Sequence, residues 1–218
     1  MSDISEVYYV ILQGARSQPI FNSDDDRRRL TQVVGRAIEA CQVRVHAYCW
    51  LRTEARLAVQ SEEKAVGDFA RQVVDSYARR HERETGGAGG RLERRFRGVP
   101  VEGQTALLDL VRHIHLAPLK YGLADELDDY AWSSHPVYAG RAQATWLTTE
   151  VTLQHLAHAD GSKRLTYQEF MQEGLEAYAD AMSPAYAAAS PHREEAQGRD
   201  RCGAGPISYL DGRGTFFR

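Results

Sequence analysis

The chain has 218 residues, 43% of them apolar and 26% charged, with a net charge of −3. That length accommodates one sizeable domain with an appendage, or two small ones, and the composition is that of a globular protein rather than a disordered one. A net negative charge excludes a uniformly positive surface, so any attraction for nucleic acid must come from local clustering. No apolar run approaches the length of a membrane span, and no basic segment followed by an apolar one opens the chain. Cys41, Cys49 and Cys202 are odd in number and lack metal-ligand spacing. These features lead us to expect a cytoplasmic protein with reduced, buried thiols.

Residues 7–13 (VYYVILQ) are rich in β-branched and aromatic types and predict a first strand. A loop containing Pro19 follows, and then Ser23-Asp24-Asp25-Asp26 supplies a cap and an acidic first turn for a helix. Leu30, Val33, Val34, Ala37, Ile38 and Cys41 form one stripe at helical spacing on it. The stretch 43–60 (VRVHAYCWLRTEARLAVQ) alternates with period 2 and predicts a hairpin turning at Leu51-Arg52-Thr53. One face of its first strand is expected to be buried. In the second, Ala55, Leu57 and Val59 point one way and Glu54 and Arg56 the other.

Ser61-Glu62-Glu63 opens a second helix, with the stripe Val66, Phe69, Ala70, Val73, Val74, Tyr77 and Ala78 ending in a glycine-rich loop at 86–90. Residues 92–101 (LERRFRGVPV) predict a weaker strand, with Pro100 at an edge or strand end. Leu107, Leu110, Val111 and Ile114 mark a third helix that Pro118 is expected to stop. The order strand, helix, strand, strand, helix, strand, helix is the split β-α-β arrangement of ferredoxin-like α+β domains, an antiparallel sheet with helices on one face. Residues 1–140 then form one domain. Residues 146–157 and 165–182 predict helices of an appendage spanning 141–182. The segment 183–218, dominated by Pro, Ala, Gly and charge, reads as a mobile tail with an apolar end at Ile207, Tyr209, Leu210, Phe216 and Phe217.

Charge is not evenly spread. Between positions 71 and 97 stand eight arginines (71, 79, 80, 83, 91, 94, 95, 97) and four acids (Asp75, Glu82, Glu84, Glu93), a local excess of +4. Arg91, Arg94, Arg95 and Arg97 surround Phe96, and cations beside an aromatic suit phosphate contact and base stacking. A solvated surface with local Arg–Glu pairs accounts for the same pattern.

Several stretches, in order and with matching spacing, resemble the REP-associated tyrosine transposases, the single-tyrosine branch of the HUH transposase superfamily. They are Tyr9-Val10, Gly14, RSQPIF at 16–21, DDDRRRL at 24–30, VHAYC at 45–49, SYAR at 76–79, RHIHLAPLKYG at 112–122 and AWSS at 131–134. Many members also carry a helical segment like 146–176. The resemblance implies cutting and rejoining of single-stranded DNA beside hairpins. In that chemistry two histidines on a strand hold Mg²⁺ or Mn²⁺, and a tyrosine on a nearby helix attacks the phosphate.

At the positions the resemblance assigns to this chemistry, the chain carries other residues. Glu54-Ala55-Arg56 stands where the histidine pair is expected, and Arg52-Thr53 replaces the Pro-Asn before it. His113 replaces the nucleophilic tyrosine, and Ala117 the asparagine of an Asn-Pro. Arginine offers no lone pair and repels a metal ion. Glu54 and Arg56 are expected to form a surface ion pair worth about 0–1 kcal/mol. His113 is expected at the surface or in a cap, His46 and His115 in structural roles, and Tyr77 in the core. Tyr121 is set aside as lying beyond Pro118.

The expectation is therefore a catalytically inactive nucleic-acid-binding protein that uses no metal cofactor. Its partner is a hairpin or structured single strand of DNA or RNA, held by Arg79, Arg80, Arg91, Arg94, Arg95, Phe96 and Arg97. Two alternatives are a protein-interaction module using the appendage, and a residual single-strand nickase.

Overall fold

A computed structural model describes residues 6–85, 92–156, 166–182, 209–210 and 216–217. Strand β1 (Glu6–Gly14) leads through a 3₁₀ turn (Ala15–Ser17) to helix α1 (Asp24–Cys41). Strands β2 (Arg44–Trp50) and β3 (Glu54–Ser61), helix α2 (Glu63–Thr85), strand β4 (Leu92–Val101) and helix α3 (Gln104–Lys120) follow. Among the described residues the sheet order is β2-β3-β1-β4-β5-β6, antiparallel throughout. Its first four strands have the α+β ferredoxin-like order. Strands β5 (Tyr209–Leu210) and β6 (Phe216–Phe217) extend the β4 edge, Leu210 pairing with Phe96. The rest of the 183–218 segment, including Cys202, lies outside the described residues.

Ser23 caps α1 as expected: its hydroxyl accepts from the Asp26 amide at 3.3 Å, and the Asp26 carboxylate accepts from the Ser23 amide at 3.2 Å. The apolar stripes of α1 and α2 pack on the sheet face carrying Tyr8, Val10, Leu12, Ala55, Leu57 and Val59. The opposite face, with Val7, Tyr9, Ile11, Ala58 and Val99, is covered by α3. The two crossover helices thus share one face, and the third helix closes the other.

β2 departs from the expected single buried face. Its pairing with β3 shifts between Val45 and Ala47, a bulge at His46. The extra residue sends Val45, Tyr48 and Trp50 to the α1/α2 core and Ala47, Cys49 and Leu51 to the α3 core. The turn falls at 51–53 as expected, with the Leu51 amide bonded to the Glu54 carbonyl at 2.9 Å. Gly14 must be glycine here: a Cβ at that position would sit 2.0 Å from the Gln18 carbonyl oxygen.

Pro118 does not stop α3. A proline near a helix end sacrifices one hydrogen bond, while its fixed φ suits the helix, so α3 runs on to Lys120. Pro100 lies within β4, opposite Tyr8 and past the two residues that β5 pairs with.

Short helix α4 (His135–Tyr138) follows a 3₁₀ turn (Leu127–Asp129), and helices α5 (Glu150–Leu156) and α6 (Tyr167–Met182) come after it. The predicted helix from 146 begins only at Glu150. Residues 147–148 instead run along β2, where the Thr148 amide bonds the Val45 carbonyl at 2.8 Å. Leu156, Tyr167, Phe170 and Met171 share the α3-side core. Among the described residues no helix is long and apolar enough to cross a membrane.

Candidate functional site

The face of the sheet under α3 holds a compact polar cluster built on Arg56. Strand alternation aims Glu54 and Arg56 at α3, away from Ala55, Leu57 and Val59, but they do not form a surface pair. Arg56 is 1% exposed and Glu54 13%. The guanidinium reaches Glu54 Oε1 through Nε at 2.7 Å and Nη2 at 2.6 Å. Its Nη1 donates to His113 Nε2 at 3.0 Å, and its Nη2 donates to the Tyr121 hydroxyl at 2.5 Å. The Tyr9 hydroxyl stands 3.3 Å from the same His113 nitrogen, ring edge to ring face.

His113 is therefore not a surface or capping residue. The strand below and the helix above meet there because α3 crosses β1 and β3, which put Tyr9 and Arg56 beneath it. The lone pair that would make His113 Nε2 a nucleophile is engaged by Arg56. Ala117, one turn further along, is buried.

Tyr121 is the residue that sequence reasoning passes over. Eight residues are a little over two helical turns, so a helix that continues through Pro118 delivers Tyr121 to the same side as His113. The residue is 51% exposed, with the Arg56 guanidinium carbon 5.0 Å from the ring centre.

The donor set does not fit a divalent cation. Arg56 has no lone pair to give and carries a fixed positive charge at the centre of the cluster. Glu54 contributes one carboxylate, already held by Arg56. Among the described residues no group of three or more His, Cys, Asp or Glu side chains could hold a metal ion.

The arginine-rich segment divides. Phe96 is 2% exposed and packs in the α1/α2 core, so it has no face to offer a base. Of its neighbours, Arg94 and Arg95 are exposed and Arg97 is half-buried. Ile11 pairs with Arg56 on one side and Arg97 on the other, which sets both arginines in one row across the α3 face. Arg79 is exposed on α2, and Arg80 bonds Gln32 on α1 at 2.7 Å, away from that row. Arg91 lies outside the described residues. Tyr77 is core, its hydroxyl bonded to the Ile20 carbonyl at 3.2 Å.

A second polar array, also unread from the sequence, joins α3 to the appendage. The Tyr167 hydroxyl lies 2.7 Å from His135 Nδ1 and 2.8 Å from His115 Nδ1. His115 Nε2 is 2.6 Å from Ser134 Oγ, which accepts the Tyr48 amide at 2.9 Å. His135 Nε2 is 3.0 Å from Asp128 Oδ1, and Arg141 bridges the same carboxylate. Hydrogen bonds from His135 and Arg141 hold the Asp128 carboxyl below its usual range. An ionised Asp128 accepts from His135 Nε2, which leaves Nδ1 of a neutral His135 to accept from the Tyr167 hydroxyl. Burial keeps His115 well below the usual histidine range, with His135 adding to the effect, and burial also lowers His135. His46 is likewise lowered by burial, between Gln60 and the Thr148 carbonyl. The structural reading of His46 and His115 holds, though both are paired rather than isolated.

No family model matches the sequence, and no curated protein does. Among solved structures there is a likeness to a REP-associated tyrosine transposase bound to a REP hairpin, with a TM-score of 0.54 and 11% identity. The match covers 70% of this chain and 91% of that one. At that identity the likeness speaks for architecture: the chain has the fold of a REP-associated tyrosine transposase.

Proposed function

We propose that the protein binds nucleic acid, as a hairpin or structured single strand, and does not carry out metal-dependent strand transfer. The observation that carries this reading is the buried Arg56 cluster on the α3 face of a fold whose solved likeness is bound to a REP hairpin. A guanidinium fixed by Glu54, His113 and Tyr121 takes the place where a metal-centred reaction would need lone pairs. Arg94, Arg95 and Arg97 then supply cations for phosphate contact on β4, across β1 from Arg56.

The test is fluorescence anisotropy with a DNA stem-loop over a salt series, with an RNA stem-loop of the same sequence as comparison. Affinity falls linearly in log–log form with salt. Changing Arg94, Arg95 and Arg97 to Glu weakens binding and flattens the slope by about two to three, at roughly 0.7–0.9 for each phosphate no longer neutralised. Binding untouched by these changes refutes the surface. A cleaved or covalently attached product on incubation with Mg²⁺ or Mn²⁺ refutes the absence of strand transfer.

A further inference from the structure

We propose that Tyr121 is a stacking platform for an unpaired nucleobase, held against the Arg56 guanidinium. This rests on the nucleic-acid reading above and names the residue that reads single-stranded character. Tyr121 is one of two large hydrophobic side chains that stand exposed among the described residues, the other being Leu153. A lone exposed aromatic is ordinary; this one is tethered. Its hydroxyl takes a 2.5 Å hydrogen bond from Arg56, a side chain 1% exposed and itself locked to Glu54 and His113. The ring is thus held before any ligand arrives, and a preorganised aromatic loses little rotamer freedom on binding.

Charge and shape agree with the assignment. Arg56 lies 5.0 Å from the ring centre, so the guanidinium polarises the π-system, as in the cation–π support of stacked bases. The helix ends at Lys120 with Tyr121 as its C-cap; Gly122 then has φ +62°, and no atom lies within 4 Å of where its Cβ would be. The space beside Gly122 is therefore open. The exposed Lys120 precedes Tyr121, and Arg97 stands across Ile11 from Arg56 on the same sheet face. Phe96, the aromatic that the sequence offers for this task, is buried.

The test uses the full chain and two DNA probes: a stem-loop with a single-stranded flank of about five nucleotides carrying 2-aminopurine, and the same stem-loop with a blunt end. Tyr121→Ala is expected to weaken the flanked probe about five- to a hundredfold, the range for losing one aromatic–base stack. It leaves the blunt probe within about twofold and abolishes the quenching of 2-aminopurine. Tyr121→Phe, which keeps the ring and drops the hydroxyl, retains most of the affinity and the quenching; Tyr121→Leu, with bulk but no π-face, does not. Matching unfolding midpoints establish that each variant is folded. If Tyr121→Ala binds the flanked probe as the parent does, or loses both probes equally, the stacking role is overturned while nucleic-acid binding stands. If the parent binds neither probe, the nucleic-acid reading falls and the inference with it.

Discussion

Replacing Glu54 by Gln removes one negative charge and almost nothing else. The amide keeps the length, the shape and one acceptor oxygen. In the parent, two guanidinium nitrogens of Arg56 contact Glu54 Oε1 at 2.7 and 2.6 Å. Were the pair at the surface, this change would cost about 0–1 kcal/mol. The arginine is 1% exposed, however, and an uncompensated buried charge costs about 3–5 kcal/mol. His113 and Tyr121 still accept from the guanidinium, and the Glu54 side chain is 13% exposed, so the lower end applies, about 3 kcal/mol. For a chain of this size that corresponds to a fall in Tm of roughly 6–12 °C. The paired change Glu54→Leu with Arg56→Met removes both charges and is expected to recover most of the loss, because apolar replacement of a buried pair is close to neutral. Urea unfolding of the parent, the single and the double variants decides the matter. A Glu54→Gln protein within about 1 kcal/mol of the parent refutes the buried-pair argument.

Three further outcomes are expected. Phe96→Ala empties a site in the α1/α2 core and lowers stability by about 3–5 kcal/mol in chemical denaturation; a loss under 1 kcal/mol would place the ring outside the core. Tyr167→Phe deletes the hydroxyl that joins His135 to His115 and leaves two buried ring nitrogens short of a partner, costing about 1–3 kcal/mol on the same assay. Acidification is the third. Folding holds His46, His115 and His135 below the ordinary 6.5, so the unfolded chain binds more protons than the folded one as pH falls through that value. Stability is therefore full above about pH 7 and declines toward pH 5.5, by up to about 1.4 kcal/mol per pH unit for each histidine. Urea midpoints at pH 7.5 and 5.5 that are equal, or higher at pH 5.5, contradict this.

The elements of the 1–140 segment are legible in the sequence because their signals are local. The Ser23 capping box, the 3.6-residue stripes of α1 and α2, and the alternation from Ala55 to Val59 each specify backbone without reference to distant residues. The failures share a cause, which is tertiary context. Glu54 and Arg56 read as solvent-facing because alternation separates two faces but cannot say that α3 covers the second. The bulge at His46 changes which side chains share a face, and nothing in VRVHAYC announces it. Phe96 reads as a ligand contact because its neighbours are arginines; in a strand the neighbours of a residue point the opposite way. Tyr121 is missed by a helix-stop rule that holds for the residue before a proline and fails when the helix needs only one more turn. The Asp128–His135–Tyr167–His115–Ser134 chain joins five residues from three separate segments, a separation that no spacing rule spans.

These two polar arrays grip α3 from different sides, and that bears on what the site can do. His113 and His115 are two residues apart, roughly 200° around the helix. The first is fixed to Arg56 and Tyr9, the second to Ser134 and Tyr167. The helix that would have to present a nucleophile is thus pinned to the sheet through one histidine and to the appendage through the other. Each anchor uses ring nitrogens that acid–base or nucleophilic chemistry would require free. Presenting His113 to a phosphate would break this buried charged network, whereas Tyr121, at the helix end, is half exposed while its hydroxyl stays bound to Arg56. On the function proposed above, the same contacts give a surface with a fixed cation beneath it and an aromatic at its rim, suited to an unpaired strand.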